Sequence, residues 1–456
     1  MPTADAPGLK RAQGLALPDP GVPNRDPLQT EQSARLAHVA AKFDPLLPRS
    51  YSVVWQQQTA QRQLIAGVAA TFTRADLAAL KPALVVRTAG EEQRVVISCA
   101  IAMLLGFQLV SWVWRYRRVS GDRVLLSAAH LLTTLGFLVA LSRPDPLRDT
   151  LLILRFTEGV VVALAIFGAA SIVSIRAASF LQLSYLPLAA AVALSIGLVI
   201  FGSGPGTSGA RINLGPVQPT EAIRLLLGLF LAGYFARRWE LLRQVRGTEI
   251  RQRPLPAWLD LPRLDHVLPV LVGVAAALVL FFVQKDLGPA LLLTLILLTM
   301  FAVARAGLGL AVMGLAILVA GFYVGHALGI SSTLSARIAM WQAPWDNVVR
   351  GGDQVAQAAW ALAAGGTAGT GLGLGATRYL PAGHTDLALA AVAEELGGVG
   401  SLLVVIAFGV IAVRGLRIAQ AAPTDYGFFL AIAMTLALVV PALVMGAGII
   451  GLIPLT

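Results

Sequence analysis

Beyond about residue 93 the chain is a succession of apolar runs separated by short polar segments. Ten such runs occupy 95–114, 124–142, 155–175, 184–202, 219–236, 266–284, 287–304, 307–328, 387–413 and 426–450. Most reach or approach the ~20 residues that an α-helix needs to cross the hydrocarbon core of a bilayer. The pattern predicts an all-α fold, a polytopic membrane helical bundle of about ten transmembrane helices with a large loop over 329–386. Residues 1–93 differ. They are rich in Pro, Ala, Gln and charge and hold no spanning run. The first forty or so are expected to be disordered, and Thr73 is placed to cap a short helix at "RADLAAL".

Arginine placement orients the bundle. Segment 115–123 carries four arginines, 237–265 carries seven and 414–420 carries two. Counting spans puts all three on one side, which the positive-inside rule makes cytoplasmic. Loops 203–218 and 329–386 then face outward, and the same count sends residues 1–93 outward.

Composition agrees. The chain is 57% hydrophobic and 13% charged, against roughly 25% charged residues in soluble domains. The net charge of +11 is explained by the arginine loops, so nucleic-acid binding is not expected. The single cysteine, Cys99, lies in an apolar run, which excludes an intrachain disulfide framework and a cysteine-based metal cluster. The N-terminus has no apolar core of signal-peptide length.

Candidate chemistry lies where charge meets the apolar runs. A charged residue at a helix centre costs about 2.5–3.5 kcal/mol on insertion scales, so its presence implies pairing or function. Glu221 and Arg224 are three apart on one helical face. Lys285 and Asp286 separate two runs, and Glu394 and Glu395 stand about two turns into the ninth. Interhelical salt bridges would account for any one pair. For the set, we expect Glu221, Arg224, Lys285, Asp286, His384, Asp386 and Glu395 around one outward-opening polar cavity. Glu394 and Glu395 are about 100° apart on a helix, so at most one faces its centre. His384-Thr385-Asp386 is too sparse for zinc, and Thr385 or Asp386 is expected to cap the ninth span. The glycine-rich stretch 365–376 lacks the βαβ setting of a dinucleotide site, and we expect it to allow close backbone approach in a re-entrant segment. Loop 335–366 offers Arg337, Asp346, Arg350, Asp353, Gln354 and Gln357. A turn-forming role is the ordinary one for a loop aspartate such as Asp346.

Taken in order, five motifs resemble the SEDS family (shape, elongation, division and sporulation), represented by FtsW and RodA. They are "GARINLGPVQPTEAIRL", "QKDLGPALLL", "RIAMWQAPWDNVVRGGDQVAQAAWALAAGGTAGTGLG", "YLPAGHTDLALAAVAEELG" and "GLIPLT". The resemblance covers about 124–456 and implies a family core there, preceded by an extra helix and loop at 94–123 and an extramembrane region at 1–93. The family has one more helix after "GLIPLT", so the chain is expected to be truncated.

The resemblance implies a peptidoglycan glycosyltransferase of the bacterial cytoplasmic membrane. Its substrate would be lipid II, polymerised at the outer face during division or elongation, and its partner a class B penicillin-binding protein. Transfer from a lipid diphosphate needs a base at the acceptor hydroxyl and positive charge at the leaving diphosphate. Asp346 is expected to be the catalytic base. Arg211, Glu221, Arg224, Lys285, Asp286, Arg337, Gln354, Gln357, His384, Thr385, Asp386 and Glu395 are expected to bind substrate. Arg337 and Arg350 would keep Asp346 ionised, and a divalent cation (Mg or Mn) is an option for the diphosphate. The chain departs from the family pattern at the loop: Asn347 stands at the family aspartate position, one residue after Asp346, and Asp353 replaces a tyrosine. Two other functions remain open to the sequence: a flippase for lipid-linked precursors, or an inactive scaffold that recruits a penicillin-binding protein.

Overall fold

A computed structural model describes residues 89–143, 152–172, 185–204, 211–215, 218–244, 264–329, 331–349, 352–380 and 382–455. Thr73 and Arg350 lie outside the described residues. Ten long helices fall on the ten apolar runs: α1 (Ala89–Tyr116), α2 (Arg123–Leu141), α3 (Leu152–Ile172), α4 (Leu186–Phe201), α5 (Thr220–Gln244), α6 (Leu264–Val283), α7 (Leu287–Arg305), α8 (Gly309–Ala327), α11 (Ala388–Gln420) and α12 (Asp425–Ile449). Between α8 and α11 lie two shorter helices, α9 (Ser332–Gln342) and α10 (Gln354–Gly365), and a 3-10 turn at Thr377–Tyr379. Eight of the helices are long and apolar enough to cross a membrane, which makes this a multi-pass membrane protein. The other two runs fall short for physical reasons. α4 has only 16 residues, and α5 carries Glu221, Arg224, Arg237 and Arg238 within its length.

Local sequence explains the helix ends. Asp122 caps α2 by accepting from the Val124 and Leu125 amides at 2.9 and 3.1 Å, which satisfies two otherwise unpartnered donors. Thr424 caps α12 through the Gly427 amide at 3.1 Å. The main core surrounds α5, whose Phe230, Leu231 and Phe235 are almost wholly buried with Phe281, Met300 and Phe429 from α6, α7 and α12. Phe235 packs 5.9 Å from Phe429 and 6.3 Å from Phe301, ring centre to ring centre. α1 lies to one side against α3, where Trp114 Nε1 donates to Ser171 Oγ at 2.9 Å.

The described parts of the arginine segments gather at one end. Arg414 of α11 reaches Asp122 at 2.6 Å. Trp239 of α5 donates to Asp425 at 3.0 Å, and Arg243 donates to the Ala304 carbonyl at 2.9 Å. At the opposite end the Arg211 amide donates to the Gln284 carbonyl at 3.0 Å. There also, Arg143 donates to the Thr377 carbonyl and, at 2.9 Å, to that of Leu380.

Candidate functional site

Two clusters of acids occupy the end away from the arginine loops. The first begins with a break in α11. Gly397 has φ 68° and ψ −161°, outside helical values. The break frees the Glu394 and Glu395 carbonyls, and the amides of Thr370 and Gly371 donate to them at 2.9 and 3.1 Å. In return the amides of Gly398 and Val399 donate to the Gly366 and Thr367 carbonyls at 2.9 and 3.3 Å. The glycine-rich loop is thus spliced into the gap of the helix. Only glycine suits the closest points: a Cβ on Gly369 would stand 2.2 Å from the Glu395 carbonyl oxygen, and one on Gly397 would stand 2.4 Å from the Gly369 nitrogen. Both have positive φ, which glycine adopts without a Cβ clash. The close approach expected of this stretch is what forms.

The glutamate side chains complete the clamp. Glu394 accepts from the Ala376 amide at 2.5 Å, and Glu395 accepts from the Gly373 amide and the Thr377 hydroxyl, each at 2.5 Å. Both residues are buried. Glu395 was expected at the cavity with a substrate role. The structure instead turns its carboxylate to the loop, because backbone donors already surround it. Thr385 and Asp386 were expected to cap α11, but the cap position is Leu387, with no side-chain bond. Thr385 donates its hydroxyl back to Ala382 at 3.2 Å.

The second cluster is open. Glu221 and Arg224, at the start of α5, form an ion pair at 3.0 Å. Asp286 stands between α6 and α7, close enough to Arg337, Arg224, Glu221 and Asp386 to feel their charges. Burial, opposed by Arg337 and Arg224, pushes its carboxyl up to about 6. Asp386 is likewise raised by burial, against the pull of Arg337 and His384. Burial lowers Arg337, although Asp386 and Asp286 favour its charge. His384 is held down by burial and by Arg143. Six residues from four parts of the chain therefore share one field: Glu221, Arg224, Asp286, Arg337, His384 and Asp386.

Several buried polar atoms here lack partners among the described residues: Thr220 Oγ1, Arg224 Nε, Gln284 Oε1 and Arg337 Nε. Buried donors and acceptors are ordinarily satisfied, and each exception asks for an explanation. Gln284 is completely buried and donates to the Ser195 carbonyl at 3.1 Å, leaving its oxygen unused. Arg337 donates to the Leu455 carbonyl at 2.6 Å through one terminal nitrogen only.

The remaining candidates divide. Lys285 is exposed in a left-handed turn with φ 60°. Arg211 is exposed and donates to the Val199 carbonyl. Gln357 donates to Asp353, which leaves Gln354 half-buried beside it. Asp346 is exposed after α9. Arg337 was expected to support it, but Arg337 lies in the body of α9, where it donates to the Leu455 carbonyl and feels the charges of Asp386 and Asp286. Asn347 is a loop staple: its amide nitrogen donates to the Ala343 and Gly352 carbonyls at 2.8 and 2.9 Å, and its oxygen accepts from the Val349 amide at 3.1 Å. A carboxylate at 347 could not make the two donations.

Sequence reasoning missed Arg143 and Thr377. The only trace of Arg143 is a lone arginine just past an apolar run in "LSRPDP". Among the described residues, no three His, Cys, Asp or Glu side chains are arranged to hold a metal.

The family model for FtsW, RodA and SpoVE, described as "Cell cycle protein", matches residues 122–456. "Peptidoglycan glycosyltransferase RodA" of Mycobacterium leprae is 30% identical over 256 residues, 55% of this chain and 53% of that one. The chain thus spans about half the length of the RodA relatives it matches. "Probable peptidoglycan glycosyltransferase FtsW" of Nitrosococcus halophilus is 31% identical over 320 residues, 66% of this chain and 75% of that one. A solved chain from work described as "Structural coordination of polymerization and crosslinking by a peptidoglycan synthase complex" has the same fold. Its TM-score is 0.58 at 22% identity, covering 74% of this chain and 90% of that one.

Proposed function

Since the chain belongs to the FtsW/RodA/SpoVE family, we propose that it is a membrane-embedded glycosyltransferase that polymerises lipid II into glycan strands. Relatives named RodA and FtsW, such as the two described, are called peptidoglycan glycosyltransferases, which supports the activity. The observation that carries the site is the open cluster, where two guanidinium groups keep buried Nε donors without acceptors among the described residues. A sugar diphosphate supplies the missing acceptors. Arg337 and Arg224 hold the diphosphate, and their charge stabilises it as it leaves. The open cluster faces the outer side of the cytoplasmic membrane and the arginine loops face the inner side. The partner is a class B penicillin-binding protein.

The base removes a proton from the acceptor sugar's hydroxyl. Asp346 fills that role by its place in the family loop, one residue before Asn347. A second reading has a specific observation behind it. Asp286 lies inside the cluster with its carboxyl near 6, and a general base works best with a pKa near the operating pH. Among the described residues no three acidic, His or Cys side chains are grouped to hold a divalent cation; a bound one would neutralise charge on the diphosphate.

The test incubates the purified full-length protein with labelled lipid II, with and without a penicillin-binding partner. Glycan strands are the expected product. Lipid II crossing a vesicle membrane without polymer would establish a flippase, and neither result with partner binding intact would establish a scaffold.

A further inference from the structure

Away from that site, at the arginine end, α11 carries a second kind of surface. Ile406, Gly409, Val410, Val413, Arg414 and Arg417 recur at helical intervals that place them along one stripe. With Val124 from the first turn of α2 they line an open groove of about 470 Å³, within the ~300–1,000 Å³ typical of ligand sites. Nothing lies within 4 Å of the position a Cβ on Gly409 would take, so this glycine is the notch in the groove. Ile406 and Val413 are about half exposed. From Ile406 to Arg417 the stripe runs about 16 Å at 1.5 Å per residue.

Its two ends differ in chemistry. The Ile406 end is apolar and belongs to the membrane-spanning part of α11. The other end is cationic. Asp122 engages Arg414 at 2.6 Å and fixes it as a wall of the groove. Arg417 is exposed, and no acid of the described residues pairs with it. Arg123, beside Asp122, is also exposed. An apolar strip that opens sideways from a membrane helix and ends in unneutralised guanidinium groups matches one ligand class, an aliphatic chain bearing an anionic head. A partner's apolar helix would cover the strip but leave the cations without acceptors.

We propose that the α2–α11 groove is a binding site for one anionic phospholipid, with an acyl chain along Ile406–Val413 and the phosphate on Arg417. A lipid bound there fills the notch beside the Asp122–Arg414 link and steadies the contact between α2 and α11.

Native mass spectrometry of the purified full-length protein, offered equal amounts of phosphatidylglycerol and phosphatidylcholine with identical chains, tests this. Retention of phosphatidylglycerol is expected to exceed that of phosphatidylcholine about five-fold, the factor one arginine near a lipid surface provides. Arg417→Gln should bring the two lipids to parity, and Gly409→Leu should reduce retention of both by filling the notch. Arg115→Gln, an equal charge loss at the same end but outside the groove, should leave the preference intact. Parity in the unmodified protein would overturn the proposal, as would a preference that survives Arg417→Gln. So would equal losses from Arg417→Gln and Arg115→Gln, which would reduce the effect to general surface charge. Retention unchanged in Gly409→Leu would leave the stripe to a protein helix.

Discussion

Glu394 and Glu395 lie at the same end of the bundle as Asp286 and Asp386, and the two pairs differ in what surrounds them. The glutamates accept two amides and a hydroxyl at 2.5 Å. Neither aspartate side chain has a hydrogen-bond donor among the described residues, and the arginines nearby hold Nε groups that are buried and unmatched. A buried acid with all its partners is part of the framework, because removing it leaves donors stranded. An acid facing buried, unmatched donors has valence left for something else. Burial and hydrogen-bond satisfaction both separate the pairs: the glutamates are buried, whereas Asp286 is half-buried and Asp386 is exposed.

The sharpest way to break the comparison is to remove carboxylates from the reactive side. Asp346→Ala is expected to lower the glycan-strand synthesis rate by about 10²–10⁴-fold, the usual general-base contribution, while Asp353→Ala should cost less. If Asp286→Asn shows the larger loss, the base is Asp286. The rate should then rise with pH through about 6 in the unmodified protein, as the Asp286 carboxyl loses its proton. That limb should vanish in Asp286→Asn. Next in size is Arg337→Ala, expected to cost about 10²–10³-fold in rate, as removal of one transition-state donor does. Its melting temperature should move far less than its rate.

The clamp should show the reverse. Glu395→Ala strands the Gly373 amide and the Thr377 hydroxyl, at about 1–3 kcal/mol for each buried unsatisfied group. A marked drop in thermal stability is expected, partly restored by Glu395→Gln, which keeps one acceptor. Equal thermal losses for Glu395→Ala and Arg337→Ala would erase the distinction between framework and site. The smallest effect belongs to the arginine end. Burial would raise the Asp122 carboxyl, but Arg414 and the Leu125 and Val124 amides outweigh it and hold the group below its ordinary range. A depressed carboxylate stabilises the fold at neutral pH, and that contribution disappears as pH falls through its folded-state value. Asp122→Ala is therefore expected to cost about 1 kcal/mol, the scale of a helix cap, and to flatten the acid side of the stability curve.

The helical bundle was legible because the apolar runs carry their own length scale. All ten coincide with helices, and the described parts of the arginine segments group at one end as the span count requires. Convergence of Glu221, Arg224, Asp286 and Asp386 was legible from the cost of charge in lipid. Arg143 was not, because a single arginine beyond an apolar run reads as a boundary residue, and its targets lie 234 and 237 positions away. Nor could sequence separate Glu395 from the open cluster. Helical geometry fixes the angle between two adjacent side chains but not which of them meets a loop, and the break at Gly397 changes the local frame. Asn347 teaches the same point. Its family position suggested a lost acid, while its bonds to Ala343, Gly352 and Val349 come from a loop path that periodicity does not describe.

The splice between the glycine loop and α11 also bears on how the chain is made. The groups that satisfy Glu394 and Glu395 come from residues 370–377, which leave the ribosome before the helix that needs them. By the time α11 is complete, its docking loop has already been synthesised. The two glutamates can then exchange water for fixed amides as they arrive, without crossing lipid as bare charges. The order of the chain thus supplies the ligands before the load, and transposing the loop to follow α11 would remove that advantage without deleting a single contact from the finished fold.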